Sequence, residues 1–379
     1  MKQQNWLSVN FFTFFFTWGI FLPYWTGWLV FEKGLTVGAA STIIAAGLFT
    51  RSFSTLFLFP ELTKRFSLAL LMKILPIVSA CLLLLFIPAQ SFSALMIVMI
   101  LFSLFYPNVL PLMESSATVL MKTNGINYGR SRSFGSAGYT VSLIFIGVTT
   151  AIWTESSIMA MMIIGTGLLI MTSFLQAPDA LATKSAPQLG GYRAIFKTPG
   201  FAAVLSICVL IQGSHAAYYS YGFIYLQELQ VSSIYIGFIL NIAVLSEIVF
   251  FAVADRFFGR TTVSAMFIFA AAATAIRWIL VGLFPSLWMF VLTQMLHSLT
   301  FGLAHYAFIK YIYRAVDKQL IPTAQGLYAS LGMGLSTALL TQIGGSLYEV
   351  SSGLSFIGMG LAVIPAFFIG FWLSARKLA

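Results

Sequence analysis

Runs of about twenty or more apolar residues succeed one another along the chain, divided by short polar connectors. A run of that length crosses the roughly 30 Å hydrocarbon core of a bilayer as a helix. The runs show no apolar–polar alternation, so helices are expected rather than a β-barrel. Charged residues make up 8% of the chain and hydrophobic residues 59%, against about 25% charged in soluble domains. A water-soluble core of 379 residues has no room for that much apolar surface. The chain therefore reads as an all-α polytopic membrane protein.

Twelve spans are expected: Trp6–Phe31, Val37–Leu62, Leu68–Pro88, Phe92–Met121, Phe134–Trp153, Ser156–Gln176, Phe201–Glu228, Ser232–Ala254, Thr261–Phe284, Ser286–Tyr311, Pro322–Tyr348 and Leu354–Leu373. Their connectors fall into two alternating sets. One holds Lys2, then Lys64, Arg65 and Lys73, then Lys122, Arg130 and Arg132, then Lys184, Arg193 and Lys197, then Arg256 and Arg260, then Lys310, Arg314 and Lys318, then Arg376 and Lys377. The other holds Lys33 as its only basic residue, with Glu32, Glu155, Glu228 and Glu349. Basic loops stay cytoplasmic, so both termini are expected in the cytoplasm. The net charge of +10 is thereby read as membrane orientation, not as a nucleic-acid surface. Trp25, Trp28, Trp153 and Trp288 near outer ends, with Trp6 and Trp372 near inner ends, fit an aromatic belt. The first span shows no small-residue cleavage site and is expected to stay as its own insertion signal.

The longest connector, 177–200, carries Pro178, Pro187, Pro199 and the Gly190–Gly191 pair, and reads as a cytoplasmic linker. It divides the chain into an N-terminal six-helix half, 1–176, and a C-terminal half, 201–379. Two equal halves joined in this way resemble the major facilitator architecture. No strong sequence repeat links them, so this reading rests on topology.

Few ionisable groups fall inside spans: Arg51, Glu114, Glu247 and Arg277, with Arg132 near a helix start, and the histidines His215, His297 and His305. Each costs several kcal/mol at membrane depth unless paired or wetted, so each is a site candidate beside the plainer reading of an interhelix clamp. Glu114 and Arg132 flank one connector and form a candidate substrate-facing pair. Glu247, Arg277 and His297 lie on consecutive spans, and Glu247 and Arg277 are expected to pair with His297 completing the cluster. Arg51 sits mid-span and needs a counter-charge or water; an anionic substrate and a bond to another helix are equally open readings. His215 lies in a polar, aromatic stretch with Tyr218, Tyr219 and Tyr221. Tyr24 and Trp18 are the cavity candidates of the aromatic first span. His305 is expected to be structural.

Other chemistries find little support. No phosphate-loop lysine motif, metal-spaced Cys/His cluster or nucleophile elbow is present, so the chain is read as a non-enzyme without a cofactor. Cys81 and Cys208 read as small packing residues.

The segment Tyr128-Gly129-Arg130-Ser131-Arg132-Ser133-Phe134-Gly135-Ser136 resembles the signature at the fourth-to-fifth helix junction of the lactose-permease-like and nucleoside-symporter-like branch of the major facilitator superfamily. Gly19–Trp25, Gln212–Tyr219, Glu247, Arg277–Trp278, Gln294–His297 and Thr300–Phe301 extend the resemblance over the whole chain, which is similar in pattern to the bacterial phenylpropionate permeases. In the lactose-permease-like group, a carboxylate and an arginine eighteen positions later bind the sugar, and Glu114 and Arg132 share that spacing. The same group places Glu, Arg and His on its eighth, ninth and tenth helices. Its second carboxylate, three residues after the histidine, is Thr300 here, so Glu247 or Glu114 is left to carry a proton.

The resemblance implies a secondary transporter of the bacterial inner membrane working by alternating access, with the oligomeric state left open. It moves a small organic solute with protons, an aromatic carboxylate such as 3-phenylpropionate coming first. Glu114, Arg132, Arg51, His215, Tyr218 and Tyr24 would bind substrate; Glu247, Arg277 and His297 would couple protons. A sugar or nucleoside symporter is the alternative, followed by drug efflux and a non-transporting membrane receptor.

Overall fold

The backbone of the described residues is mostly helical, as a segment in lipid requires. The computed structural model describes residues 3–182 and 191–376. Lys2, Lys184 and Lys377 of the basic connectors lie outside these residues, as do Pro187 and Gly190 of the linker and the side chain of Lys318.

Ten helices among the described residues are long and apolar enough to cross a membrane. In chain order, with a shorter apolar helix and one further helical run, they are α1 Gln3–Phe31, α2 Val37–Arg65, α3 Leu68–Leu84, α4 Phe92–Asn124, α5 Tyr128–Trp153, α6 Ser156–Ser173, α7 Phe201–Glu228, α8 Ser233–Phe258, α9 Val263–Leu283, α10 Leu287–Ala315, α11 321–350 and α12 Ser352–Ala375. The chain is an all-α polytopic membrane protein. The helices match the expected spans, with instructive differences at the ends. Helix α5 begins at Tyr128, six residues before the expected Phe134, because the Asn127 side chain caps it by accepting from Arg130 N at 2.9 Å. Arg130 and Arg132 are therefore helical. Helix α3 stops at Leu84 rather than at Pro88, and Lys73 lies on it rather than in a connector. Helices α8 and α10 run on to Phe258 and Ala315, carrying Asp255, Arg256, Lys310 and Arg314 into helix.

The chain divides into two compact units. Unit 1 comprises Met1–Leu35, Ala46–Pro187 and Ser232–Phe238; unit 2 comprises Thr36–Ala45, Gln188–Val231 and Ile239–Ala379. Within unit 1, α1 is the central helix and packs on α5 and α6. Its aromatic run is apolar on every face, and a helix of that kind is buried; Phe11, Phe14, Trp18, Tyr24 and Trp25 are all inaccessible or nearly so. Close approach of α1 to α5 depends on Gly138, where a Cβ would overlap the Phe12 carbonyl oxygen. Small residues allow such contacts where the hydrophobic effect offers no drive between helices. Gln4 clasps the start of α5: its Oε1 accepts from Asn127 N at 2.8 Å and its Nε2 donates to the Asn127 carbonyl at 2.9 Å and to Ser131 Oγ.

Within unit 2, α7 is the buried central helix and α9 packs along α12. Lys310 Nζ donates to the carbonyls of Phe258, Gly259 and Thr261 at 2.8–3.0 Å, a basic side chain satisfying a helix C-terminus. The first turn of α2 belongs to this unit, where Gly38 N donates to Glu349 Oε1 at 3.0 Å. Helices α2, α10 and α11 each contain a π-helical stretch, at Ser54–Leu58, Ser298–Gly302 and Tyr328–Leu335. Such bulges concentrate at functional sites.

Candidate functional site

Apart from His305, the ionisable groups expected at membrane depth gather into three clusters, two in unit 1 and one in unit 2. In the first, Arg132 on the second turn of α5 places Nε 3.6 Å from Glu114 Oε1 on α4. The Tyr128 side chain, one turn earlier on α5, lies beside both. The Arg132 guanidinium lies over the Phe15 ring, 4.2 Å from its centroid, a cation–π contact. About a third of each side chain in the ion pair is accessible.

The second cluster is centred on Arg51 in α2. Its guanidinium stacks over Trp18 of α1 at 4.9 Å. Trp18 packs in turn on Phe21 and on Tyr106 of α4, with ring centroids 5.9 Å apart in each case. The Tyr106 hydroxyl is bonded to Thr17 Oγ1 at 2.7 Å. Helix α2 is pinned to α4 on both sides of Arg51. One turn before it, a Cβ on Gly47 would meet Met99 and Ser103 at 2.9 Å. Just after it, Ser54 Oγ donates to the Leu104 carbonyl at 2.6 Å and accepts from Asn108 Nδ2 at 2.7 Å. Among the described residues Arg51 has no hydrogen bond and no ion pair.

Unit 2 holds the third cluster, built on two interrupted helices. Helix α7 breaks at Ser214–His215, where Ser214 Oγ and His215 Nδ1 both donate to the Ile211 carbonyl, at 2.7 and 2.9 Å. Helix α10 breaks after Gln294 and resumes through its π stretch. Arg277 on α9, wholly buried, reaches into this gap. Its Nη1 donates to His297 Nδ1 at 3.0 Å and to Thr300 Oγ1 at 3.1 Å, and its Nη2 to Gln294 Oε1 at 3.4 Å. Its faces are covered by Trp278 at 4.2 Å and Tyr218 at 5.1 Å.

Hydrogen-bond roles follow from donor chemistry. A guanidinium has no acceptor, so His297 Nδ1 accepts and the ring proton sits on Nε2. That nitrogen faces Glu247 Oε2 at 3.7 Å. Thr300 Oγ1 lies 3.1 Å from His215 Nε2, which is left to accept, since His215 Nδ1 donates to backbone. The result is a line of polar groups: Glu247 at the edge with 28% of its side chain accessible, His297 behind it with 6%, and Arg277 innermost, with a hydrogen bond joining the last two.

The MFS_1-like family model matches residues 5–357 of this chain. The chain belongs to the MFS_1-like family. It is 28% identical to the probable 3-phenylpropionic acid transporter of Escherichia coli (strain K12), over 97% of each chain. A maltose permease of Geobacillus stearothermophilus is 27% identical over 69% of this chain and 66% of its own. The crystal structure of the nucleoside transporter NupG superposes with a TM-score of 0.82 at 16% identity, covering all of both chains, which establishes the major facilitator fold. The resemblance drawn from the signature segment is thus met, and this MFS_1-like protein is a multi-pass membrane transporter of small solutes.

Against the expectations for its site residues, the structure brings Glu114 to Arg132, and Glu247, Arg277, His297, His215 and Tyr218 into one cluster. Glu247 and Arg277 were expected to pair with each other; His297 stands between them instead. Tyr24 is fully buried and lies about 9 Å along α1 from Trp18 at 1.5 Å per residue, so Trp18 is the aromatic partner of Arg51. His305 Nδ1 meets the Tyr328 hydroxyl at 3.0 Å, itself an acceptor from Gln212 Nε2 at 2.9 Å. Sequence reasoning missed Tyr106, Gln294 and the place of Tyr128 beside Glu114 and Arg132. The Tyr-Pro pair at 106–107 was the available signal for the first, since Pro107 falls in a 3₁₀ turn that interrupts α4.

Proposed function

We propose that this transporter couples uptake of a small aromatic carboxylate, of the kind named for its Escherichia coli relative, to protons, with both termini in the cytoplasm. The observation that carries the reading is the line from Glu247 through His297 to Arg277. A carboxylate that is partly accessible, backed by a neutral histidine and a fixed cation, is suited to take up and release a proton. Ionised, Glu247 balances the Arg277 charge; protonated, it leaves that cation uncompensated, so its two states differ in the field they impose on the cluster.

Energetics favour the same arrangement. Moving an anion inward against a negative interior costs about 2.3 kcal/mol per charge per 100 mV. One accompanying proton cancels that cost. Access would alternate between the two sides, as in other secondary transporters.

A neutral sugar or nucleoside is the second reading. It is favoured by the partly accessible Glu114–Arg132–Tyr128 group, an array of acceptor and donors suited to hydroxyls. Uptake of labelled 3-phenylpropionate into proteoliposomes, driven by an inward proton gradient, tests the choice. Accumulation that needs the proton gradient, persists without sodium and is unaffected by excess maltose or uridine supports the first reading. Proton-driven uptake of maltose or uridine with none of the acid supports the second.

A further inference from the structure

We propose that Arg51 is the residue that holds the substrate carboxylate, with Trp18, Phe21 and Tyr106 forming the wall beside it. The assignment rests on the aromatic-carboxylate reading above and deepens it.

Three guanidiniums lie at membrane depth, and their surroundings differ. Arg277 spends both Nη groups on His297, Thr300 and Gln294, and both faces on rings. Arg132 already has the Glu114 carboxylate at 3.6 Å and the Phe15 ring on one face. A second carboxylate at Arg132 would meet the like charge of Glu114. Arg51 alone of the three has only an aromatic contact among the described residues.

The form of that contact matters. The Arg51 guanidinium lies over the Trp18 ring, 4.9 Å from its centroid, a contact that uses no N–H in a hydrogen bond and so leaves the five N–H groups to receive a carboxylate. A guanidinium cannot shed its proton, so at this depth it requires a counter-charge. A bound anion supplies one; nothing else in the cluster does, because Thr17, Tyr106, Ser54 and Asn108 are neutral.

The wall suits a ring joined to a carboxylate by a short chain. Trp18 and Phe21 are three residues apart on α1 and so share a face. Both pack on Tyr106, Phe21 at 5.5 Å and Trp18 at 5.9 Å. Trp18 and Tyr106 are buried while Phe21 is partly accessible, so Phe21 offers the ring surface. Along α4, Glu114 is eight residues beyond Tyr106, about 12 Å at 1.5 Å per residue. Arg51 and the Glu114–Arg132 pair are therefore separate stations.

The test is ligand binding to the purified full-length chain in nanodiscs, using 3-phenylpropionate and its neutral analogue 3-phenylpropan-1-ol. Charge-assisted hydrogen bonds of the usual strength predict that Arg51→Gln weakens the acid by about thirtyfold and leaves the alcohol unchanged. Arg51→Lys, which keeps the charge without the fork, falls between. Retained alcohol binding shows that Arg51→Gln is folded; should it not fold, the Arg51→Lys loss, seen for the acid only, decides. Acid binding that survives Arg51→Gln or Arg51→Lys unchanged, or is lost in Arg132→Gln instead, overturns the assignment alone. A wild-type protein that binds maltose or uridine and neither phenyl compound overturns the substrate reading and the assignment with it.

Discussion

Nη1 of Arg277 donates to Nδ1 of His297 across 3.0 Å, and this contact fixes the ring proton of His297 on the nitrogen that faces Glu247. The histidine is thereby a neutral spacer between a carboxylate and a buried cation, neither of which reaches the other through it except by way of its two ring nitrogens.

One consequence concerns stability. His297→Phe removes the acceptor and leaves a buried guanidinium N–H unbonded, at a cost of about 1–3 kcal/mol. His297→Gln supplies an acceptor for Arg277 and a donor toward Glu247 and is expected to lose much less. Thermal unfolding of the two variants in detergent, compared with wild type, measures the difference.

A different outcome is expected for the ion pair of unit 1. With a 3.6 Å separation and side chains about a third accessible, Glu114 and Arg132 contribute under about 1 kcal/mol. Glu114→Gln and Arg132→Gln are each expected to leave the unfolding midpoint almost unmoved, and competition by 3-phenylpropionate in a transport assay to change little. Loss of a sugar or nucleoside signal in the same variants would instead speak for the second substrate reading.

Packing of α1 on α5 gives a third expectation. Gly138→Ala puts a methyl group into the Phe12 carbonyl, and overpacking of that kind costs about 1–3 kcal/mol. Gly167→Ala on α6, where a Cβ meets nothing within 4 Å, is the matched control and is expected to be neutral. Yields of monodisperse protein and unfolding midpoints of the two variants report the contrast.

The helices were legible in the sequence because lipid demands long apolar runs and basic loops mark their ends. Boundaries failed where a polar segment is helical. The Tyr128–Ser133 stretch reads as a connector by hydropathy, yet Asn127 caps it and Gln4 holds it against α1. The ionisable residues of the site were legible too, since charge is scarce in such a chain. Their partners were not. The interruptions in α7 and α10 that accompany the bonds to the Ile211 carbonyl and present Thr300 leave no period in the sequence. Tyr106 is set apart from the other membrane aromatics by the fold, which places Trp18 beside it and Arg51 over Trp18.

Glu247→Gln tests the central claim most directly. The variant cannot ionise, so it holds the cluster in its protonated condition at every pH. In proteoliposomes, proton-gradient-driven accumulation of labelled 3-phenylpropionate is predicted to fall to the leak level, while exchange of external label against internal unlabelled substrate continues at a rate comparable to wild type. Proton-driven accumulation by Glu247→Gln equal to that of wild type would contradict the account.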